Sequence, residues 1–135
     1  MKVLPDTNTV ISAIGWAGPP REILLALRAG QYRLVTSPDL LQEITRVLAY
    51  PKLRIIARHP QLPEILAWLH RPEHLVYPAQ RLHVITADPA DSRILETALA
   101  ARADVIVSGD HHLLELGRFE DIPVLTARQF VERYL

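Results

Sequence analysis

The sequence predicts an α/β protein built from parallel β–α units and folded as a single domain over residues 1–135. Short apolar segments alternate with helical segments along the whole chain, which is the pattern of a parallel sheet covered by helices. The 135 residues are 49% apolar, enough for one domain with a true core. There is no internal repeat, low-complexity tract or linker that would divide the chain.

Two strands and three helices are predicted in the first half of the chain. In order, they are a strand ending at 3–4, a helix over 9–15, a helix over 21–29, a strand over 33–36 and a helix over 38–49. Pro5 closes the first strand, and Gly30 ends the second helix. Ser37 followed by Pro38 supplies an N-cap and a first-turn proline, which together favour the start of the third helix.

Residues 52–74 carry several prolines and two short apolar-periodic pieces, which predict a helical arm. Its apolar residues are Leu53, Ile55, Ile56, Leu62, Ile65, Leu66, Trp68 and Leu69. This is more apolar surface than a small two-sided fold readily buries, and such patches tend to mark interfaces. The arm therefore predicts a homodimer or a higher oligomer. The alternative is that the arm folds back onto its own core.

Strands and helices also alternate in the second half. Residues 82–86 are predicted to form an edge strand or an extended link, and helices are predicted over 89–102 and 111–116. Strands are predicted over 105–108 and 122–125. Thr126 with Gln129 makes a capping box, which predicts the start of a final helix.

Acidic residues stand where apolar segments give way to turns or to helix starts. They are Asp6, Glu43, Asp91 and Asp110. If the strands before Asp6 and Asp110 are parallel neighbours, their ends bring these two carboxylates together. Carboxylates held so close repel each other unless a cation compensates, most often a divalent metal with oxygen ligands. The chain has no cysteine, so a thiolate metal site is excluded.

Each acidic residue also has a purely structural interpretation. Asp6 and Asp110 are placed to cap the helices that follow them, and Glu43 lies at the edge of an apolar helical stripe, where a solvated glutamate is common. Asp88 and Asp91 together would suit the start of one helix, with Asp88 as its cap. Position alone leaves both interpretations open.

The combined motifs resemble the PIN domain, the nuclease domain of many toxins from prokaryotic type II toxin–antitoxin systems. The matching pieces are D-T-N at 6–8, the helical Glu43, D-x-x-I-x-x-x-A at 91–98 and V-S-G-D-x-H-L-L at 107–114. They follow the order of the family and span almost the whole chain. The resemblance implies a three-layer α/β/α fold with a central, mostly parallel sheet, helices on both faces and the helical arm at about 52–74.

The same resemblance implies an Mg²⁺- or Mn²⁺-dependent endoribonuclease, the toxin of a toxin–antitoxin pair. Asp6, Glu43, Asp91 and Asp110 would be both the catalytic residues and the metal ligands, with Asn8 and Ser108 as accessory residues. RNA would be the substrate, and an antitoxin protein would inhibit in trans. The rival hypothesis is a catalytically silent PIN-like scaffold that binds RNA or a partner protein.

Two other enzyme classes fit less well. A phosphoacceptor receiver domain needs a lysine beyond a late strand, and neither predicted late strand is followed by one. Hydrolases with a D-x-D nucleophile motif need an aspartate where Asn8 stands.

Charge and hydropathy give the remaining expectations. The formal net charge is zero, so contact with nucleic acid would need a local basic patch or a metal. The loose basic run Arg46, Lys52, Arg54, Arg58 and His59 is either a solvated face or a contact for a nucleic-acid backbone. With no signal peptide and no apolar run long enough for a membrane span, a cytoplasmic location is expected. The adjacent His111 and His112 are expected to point in different directions at the surface.

Overall fold

In the computed structural model, which describes residues 1–82 and 89–135, a five-stranded sheet lies between two layers of helices. The strands are β1 (Lys2–Pro5), β2 (Arg33–Leu34), β3 (Val105–Val107), β4 (Arg118–Phe119) and β5 (Ile122–Leu125), in the sheet order β2-β1-β3-β5-β4. All neighbouring strands are parallel except β4 and β5. The three-layer α/β/α fold is therefore confirmed.

Eight α-helices lie within the described residues. They are α1 (Thr7–Gly15), α2 (Pro19–Arg28), α3 (Pro38–Leu48), α4 (Arg54–Ala57), α5 (Leu62–Leu69), α6 (Pro89–Ala101), α7 (His111–Leu116) and α8 (Ala127–Tyr134). Short 3₁₀ turns at Pro51–Leu53 and Pro72–His74 flank α4 and α5.

Alternate residues of the central strands serve two separate cores. Val3, Val105 and Val107 pack on one face with residues of α1, α2, α5 and α8. Leu4 and Ile106 pack on the other face with residues of α6 and α7. Since successive side chains of a strand point to opposite faces, these nearly continuous apolar strands are buried on both sides.

Most predicted elements are present with small changes at their ends. The capping box of the last helix is confirmed, because Thr126 accepts from the Gln129 amide while the Gln129 side chain accepts from the Thr126 amide. The antiparallel strand β4 was not predicted; its two residues carry too little pattern to be recognised. The strand predicted over 33–36 is paired only at Arg33–Leu34, although Thr36 forms a single bridge to Leu75.

Ser37 stands at the N-cap position of α3 but makes no side-chain cap. Its hydroxyl lies 2.8 Å from the hydroxyl of Thr97, in the buried contact between α3 and α6. The Thr97 hydroxyl donates a 2.9 Å hydrogen bond to the Arg93 carbonyl. Ser37 is therefore the donor in the Ser37–Thr97 hydrogen bond. The helix start was predicted correctly, but the capping role of Ser37 was wrong.

The helical arm folds onto the body of its own chain. Ile56, Leu62, Ile65, Trp68 and Leu69 all belong to the core that also contains Val3 and Val105. Among the arm's apolar residues Ile55 stays largely exposed, at 87%. The burial removes the apolar surface from which an oligomer was predicted, and the alternative of an arm folded on its own core is the one observed.

Two expectations fall on residues outside the described part of the chain. They are the capping role of Asp88 and all of the possible strand over 82–86 except Leu82, which has no regular secondary structure. None of the helices within 1–82 and 89–135 has both the length and the hydropathy of a membrane-spanning segment.

Candidate active site

The parallel pairing of β1 with β3 brings two predicted site residues to the same edge of the sheet. Pro5 pairs with Val107, and the Asp6 amide donates a 2.9 Å hydrogen bond to the Val107 carbonyl. Both strands end here, so Asp6 lies beside Ser108. In open α/β sheets, ligands bind at this carboxyl edge.

Both carboxylate oxygens of Asp6 are held in place. One accepts a 2.8 Å hydrogen bond from the Thr9 amide, which makes Asp6 the N-cap of α1. The other accepts from the Ser108 hydroxyl at 2.5 Å. The residue is only 5% exposed. A carboxylate oxygen has more than one lone pair, so these bonds fix the side chain and leave acceptor capacity for a ligand.

Ser108 also contacts Asp110. Its hydroxyl oxygen accepts a 2.9 Å hydrogen bond from the Asp110 amide, and the same hydroxyl donates a hydrogen bond to the Asp6 carboxylate. The Asp110 side chain accepts from the His112 amide at 2.7 Å and so caps α7. One hydroxyl group therefore links the two acidic residues, and each of them also caps a helix.

Glu43 and Asp91 lie on helices α3 and α6. α3 begins just past the end of β2, and Glu43 is half-buried in its second turn. α6 runs into β3, so its first turn, which contains Asp91, lies toward the carboxyl edge of the parallel sheet. Asp91 is 6% exposed. The Ser37–Thr97 hydrogen bond joins these two helices.

The remaining residues of the D-T-N motif differ in exposure. Asn8 is exposed, whereas Thr7 is 4% exposed. The Thr7 hydroxyl is buried and has no hydrogen-bond partner among the described residues. A buried hydroxyl is costly without a partner, so this atom beside Asp6 suits a bound water or another polar ligand. Sequence reasoning did not select Thr7, although it lies inside the motif.

His111 and His112 do not point apart, contrary to expectation. Their ring centroids lie 4.0 Å apart with a tilt of 37° between the planes. His111 is exposed and His112 is half-buried. The pair directly follows Asp110.

The acidic residues supply the right donor chemistry for Mg²⁺ or Mn²⁺, because carboxylate oxygens are the preferred ligands of these ions. Within the described residues, however, no three or more His, Cys, Asp or Glu side chains are arranged as a metal-binding group. The donor types of the acidic residues fit the ion.

Sequence reasoning also missed a buried acidic residue on α6. The Glu96 side chain is 1% exposed and accepts from the Leu82 amide at 2.6 Å. It pairs with Arg93 at 2.8 Å and with Arg81 at 3.4 Å, and Arg81 also contacts Asp39 on α3 at 3.0 Å. Glu96 lines a cavity of about 400 Å³ between α6 and residues 77–82. Its spacing on α6 gave no signal, because the partners come from elsewhere in the chain.

A family model described as the PIN domain matches residues 2–112. The chain belongs to the PIN-domain family. The match extends from β1 to the start of α7 and so includes all four acidic residues. No curated protein and no solved structure matches the chain.

Membership of the PIN family gives the fold a general function. The PIN domain is a nuclease fold, which implies hydrolysis and contact with nucleic acid. PIN nucleases typically use divalent metals.

Proposed function

We propose that this PIN domain is a metal-dependent endoribonuclease. The observation that carries the proposal is the hydrogen-bonded unit of Asp6, Ser108 and Asp110 at the carboxyl ends of two adjacent parallel strands. Asp6 and Asp110 could cap their helices without the Ser108 hydroxyl that joins them. A binding site for a cation and a phosphodiester makes use of that arrangement.

In this proposal Asp6, Asp91 and Asp110 hold Mg²⁺ or Mn²⁺, with Glu43 contributing directly or through water. Such an ion activates a water molecule and neutralises charge that develops on the phosphate in the transition state. Asp6 is the fixed member of the set, because Thr9 and Ser108 orient its two oxygens. Glu43 and Asn8 are more accessible and would contact the water or the substrate.

Carboxylates gathered at one edge of the sheet repel one another, and a divalent ion bound between them would offset that repulsion. Asp110 is half-buried and Asp6 is buried, so Asp110 is the more accessible member of the pair.

The toxin role, an inhibitory antitoxin acting in trans, self-association and a cytoplasmic location belong to the same proposal. They are supported by the family and by the order of its motifs in this chain. With the arm buried on its own core, self-association would have to use another surface.

The test is cleavage of a fluorescent single-stranded RNA with Mg²⁺ or Mn²⁺, and its arrest by EDTA. Asp6→Asn, Asp91→Asn and Asp110→Asn should each abolish cleavage. Asp104→Asn is a matched control, because Asp104 lies next to the opposite end of β3 and accepts from the Lys2 amide at 2.7 Å. Full activity of Asp6→Asn would refute the site. RNA binding by the wild type without any cleavage would favour the silent scaffold instead.

A further inference from the structure

The stretch between Glu43 and Glu64 contains four cationic residues and no acidic one, in a protein whose acidic and basic residues are equal in number at 15 each. The cations are Arg46 near the end of α3, Lys52 in the following turn, and Arg54 and Arg58 at the two ends of α4, and all four are exposed. None of them forms an ion pair within the described residues. Together with Tyr50 they are called the basic arm surface.

The like charges of the basic arm surface repel one another. Arg54 and Arg58 stand four residues apart around α4, which places them on one side of the chain, where equal charges repel. The repulsion would be relieved by an anionic ligand. The zero net charge of the chain gives no reason for such local segregation.

Exposed apolar and aromatic side chains are interleaved with these cations. Tyr50 is 43% exposed and Ile55 is 87% exposed. Trp16, at 58% exposure, follows Gly15, and a Cβ atom added to Gly15 would lie 2.8 Å from Cδ1 of Ile56 on α4. This close approach puts the end of α1, and so Trp16, beside the arm.

We infer that the basic arm surface, with Trp16 at its edge, binds the strand of single-stranded RNA that leads away from the proposed active site. The inference rests on the proposed function. Guanidinium and ammonium groups contact phosphates irrespective of sequence, and exposed aromatic rings can stack only on bases that are unpaired. The surface also begins next to the site, because Arg46 is three residues, about 4.5 Å along the helix axis, beyond Glu43.

Binding is measured apart from cleavage by titrating a labelled, unstructured RNA oligonucleotide in EDTA at several salt concentrations. The triple variant Lys52→Ala, Arg54→Ala, Arg58→Ala should bind about tenfold more weakly or worse, and the slope of log affinity against log salt should fall by about two. Arg118→Ala, Arg128→Ala, Arg133→Ala is the control, since it removes three exposed cations elsewhere and should change little.

The stacking contact has its own variants. Tyr50→Ala should weaken binding about tenfold, whereas Tyr50→Phe keeps the ring and should bind like the wild type. A duplex of the same sequence should bind more weakly than the single strand. Equal binding by both triple variants, or polyglutamate bound as tightly as the RNA, would overturn the inference; the second result would indicate an acidic protein partner.

Failure of the surface and failure of the proposed function give different results. If the wild type cleaves RNA and the arm triple variant cleaves it with an unchanged KM, the surface is wrong and the nuclease function stands. If RNA binds at the arm but is not cleaved with Mn²⁺, the surface stands and the nuclease function is wrong.

Discussion

The Ser108 hydroxyl donates a 2.5 Å hydrogen bond to the Asp6 carboxylate and thereby joins the ends of β3 and β1. Removing this group with Ser108→Ala leaves a buried carboxylate oxygen without its donor. Bonds to charged groups contribute about 1.5–3 kcal/mol, so the free energy of unfolding should fall by about that amount in urea titrations. Ser12→Ala removes a half-buried hydroxyl of α1 and should lower the free energy of unfolding by less. An equal loss of stability in both variants would show that the hydrogen bond to Asp6 does not contribute the expected stabilisation.

Asp110→Asn separates a helix cap from a metal ligand. Asparagine caps helices about as well as aspartate, so without metal the variant should be at least as stable as the wild type. Mn²⁺ should raise the melting temperature of the wild type by mass action but raise that of Asp110→Asn less. Thermal melts in EDTA and in Mn²⁺ measure both shifts. Equal shifts in the two proteins would mean that Asp110 does not share a metal with Asp6.

The buried Glu96 should be more sensitive to substitution than its exposed partner. Glu96→Gln replaces the carboxylate that pairs with Arg93 by a neutral amide, at a position where the Glu96 side chain is 1% exposed. Breaking a buried ion pair lowers the free energy of unfolding by about 3 kcal/mol. Arg81 is 59% exposed at its side chain, so Arg81→Ala should cost no more than about 1 kcal/mol. Urea titration of both variants checks the order, and the reverse order would contradict it.

His74 should make the protein less stable in mild acid. Burial lowers the pKa of His74 below its ordinary value of 6.5, and the neighbouring Glu73 carboxylate and the Leu34 backbone oppose that shift only in part. Arg71 and Arg33 act in the same direction as burial. Burial is the largest of these effects, so the neutral ring suits the folded state.

The sign follows from the protons bound by each state. Below about pH 6.5 the unfolded chain takes up a proton at His74 that the folded chain still refuses, so stability declines until the pH passes the lowered folded pKa. Above pH 6.5 the penalty is absent. His74→Phe should therefore lose less stability than the wild type between pH 7.5 and pH 5, as measured by urea titration at each pH. Equal losses in the two proteins would contradict this role of His74.

The sequence was sufficient to predict elements with strong local signals. Gly117, Pro38 and the Thr126–Gln129 pair mark helix ends through their own backbone or side-chain chemistry, and the structure agrees with them. The position of Asp6 and Asp110 at one edge of the sheet also followed, because the strands before them are neighbours. The link between them was not predicted, since it joins the Asp6 carboxylate to the Asp110 amide through Ser108.

Contacts that join distant segments were not predictable in the same way. The Ser37 hydroxyl could serve its own helix or Thr97, 60 residues away, and the local sequence favours the wrong partner. Glu96 resembled an ordinary helical glutamate until Arg81 and Leu82 were placed beside it. The arm was misjudged for a related reason, since apolar residues alone do not tell whether they cover their own core or another molecule.

Among the strands of residues 1–82 and 89–135, the two outer ones have a consequence for self-association. β2 and β4 contain two residues each, and β2 is followed by the single bridge from Thr36 to Leu75. Unpaired backbone along a long border strand is what lets sheets of separate molecules fuse. Edge strands of two residues offer an incoming strand few backbone groups for hydrogen bonds. Copies of this protein that meet should therefore associate through helices and avoid the edge-to-edge pairing that leads to aggregates.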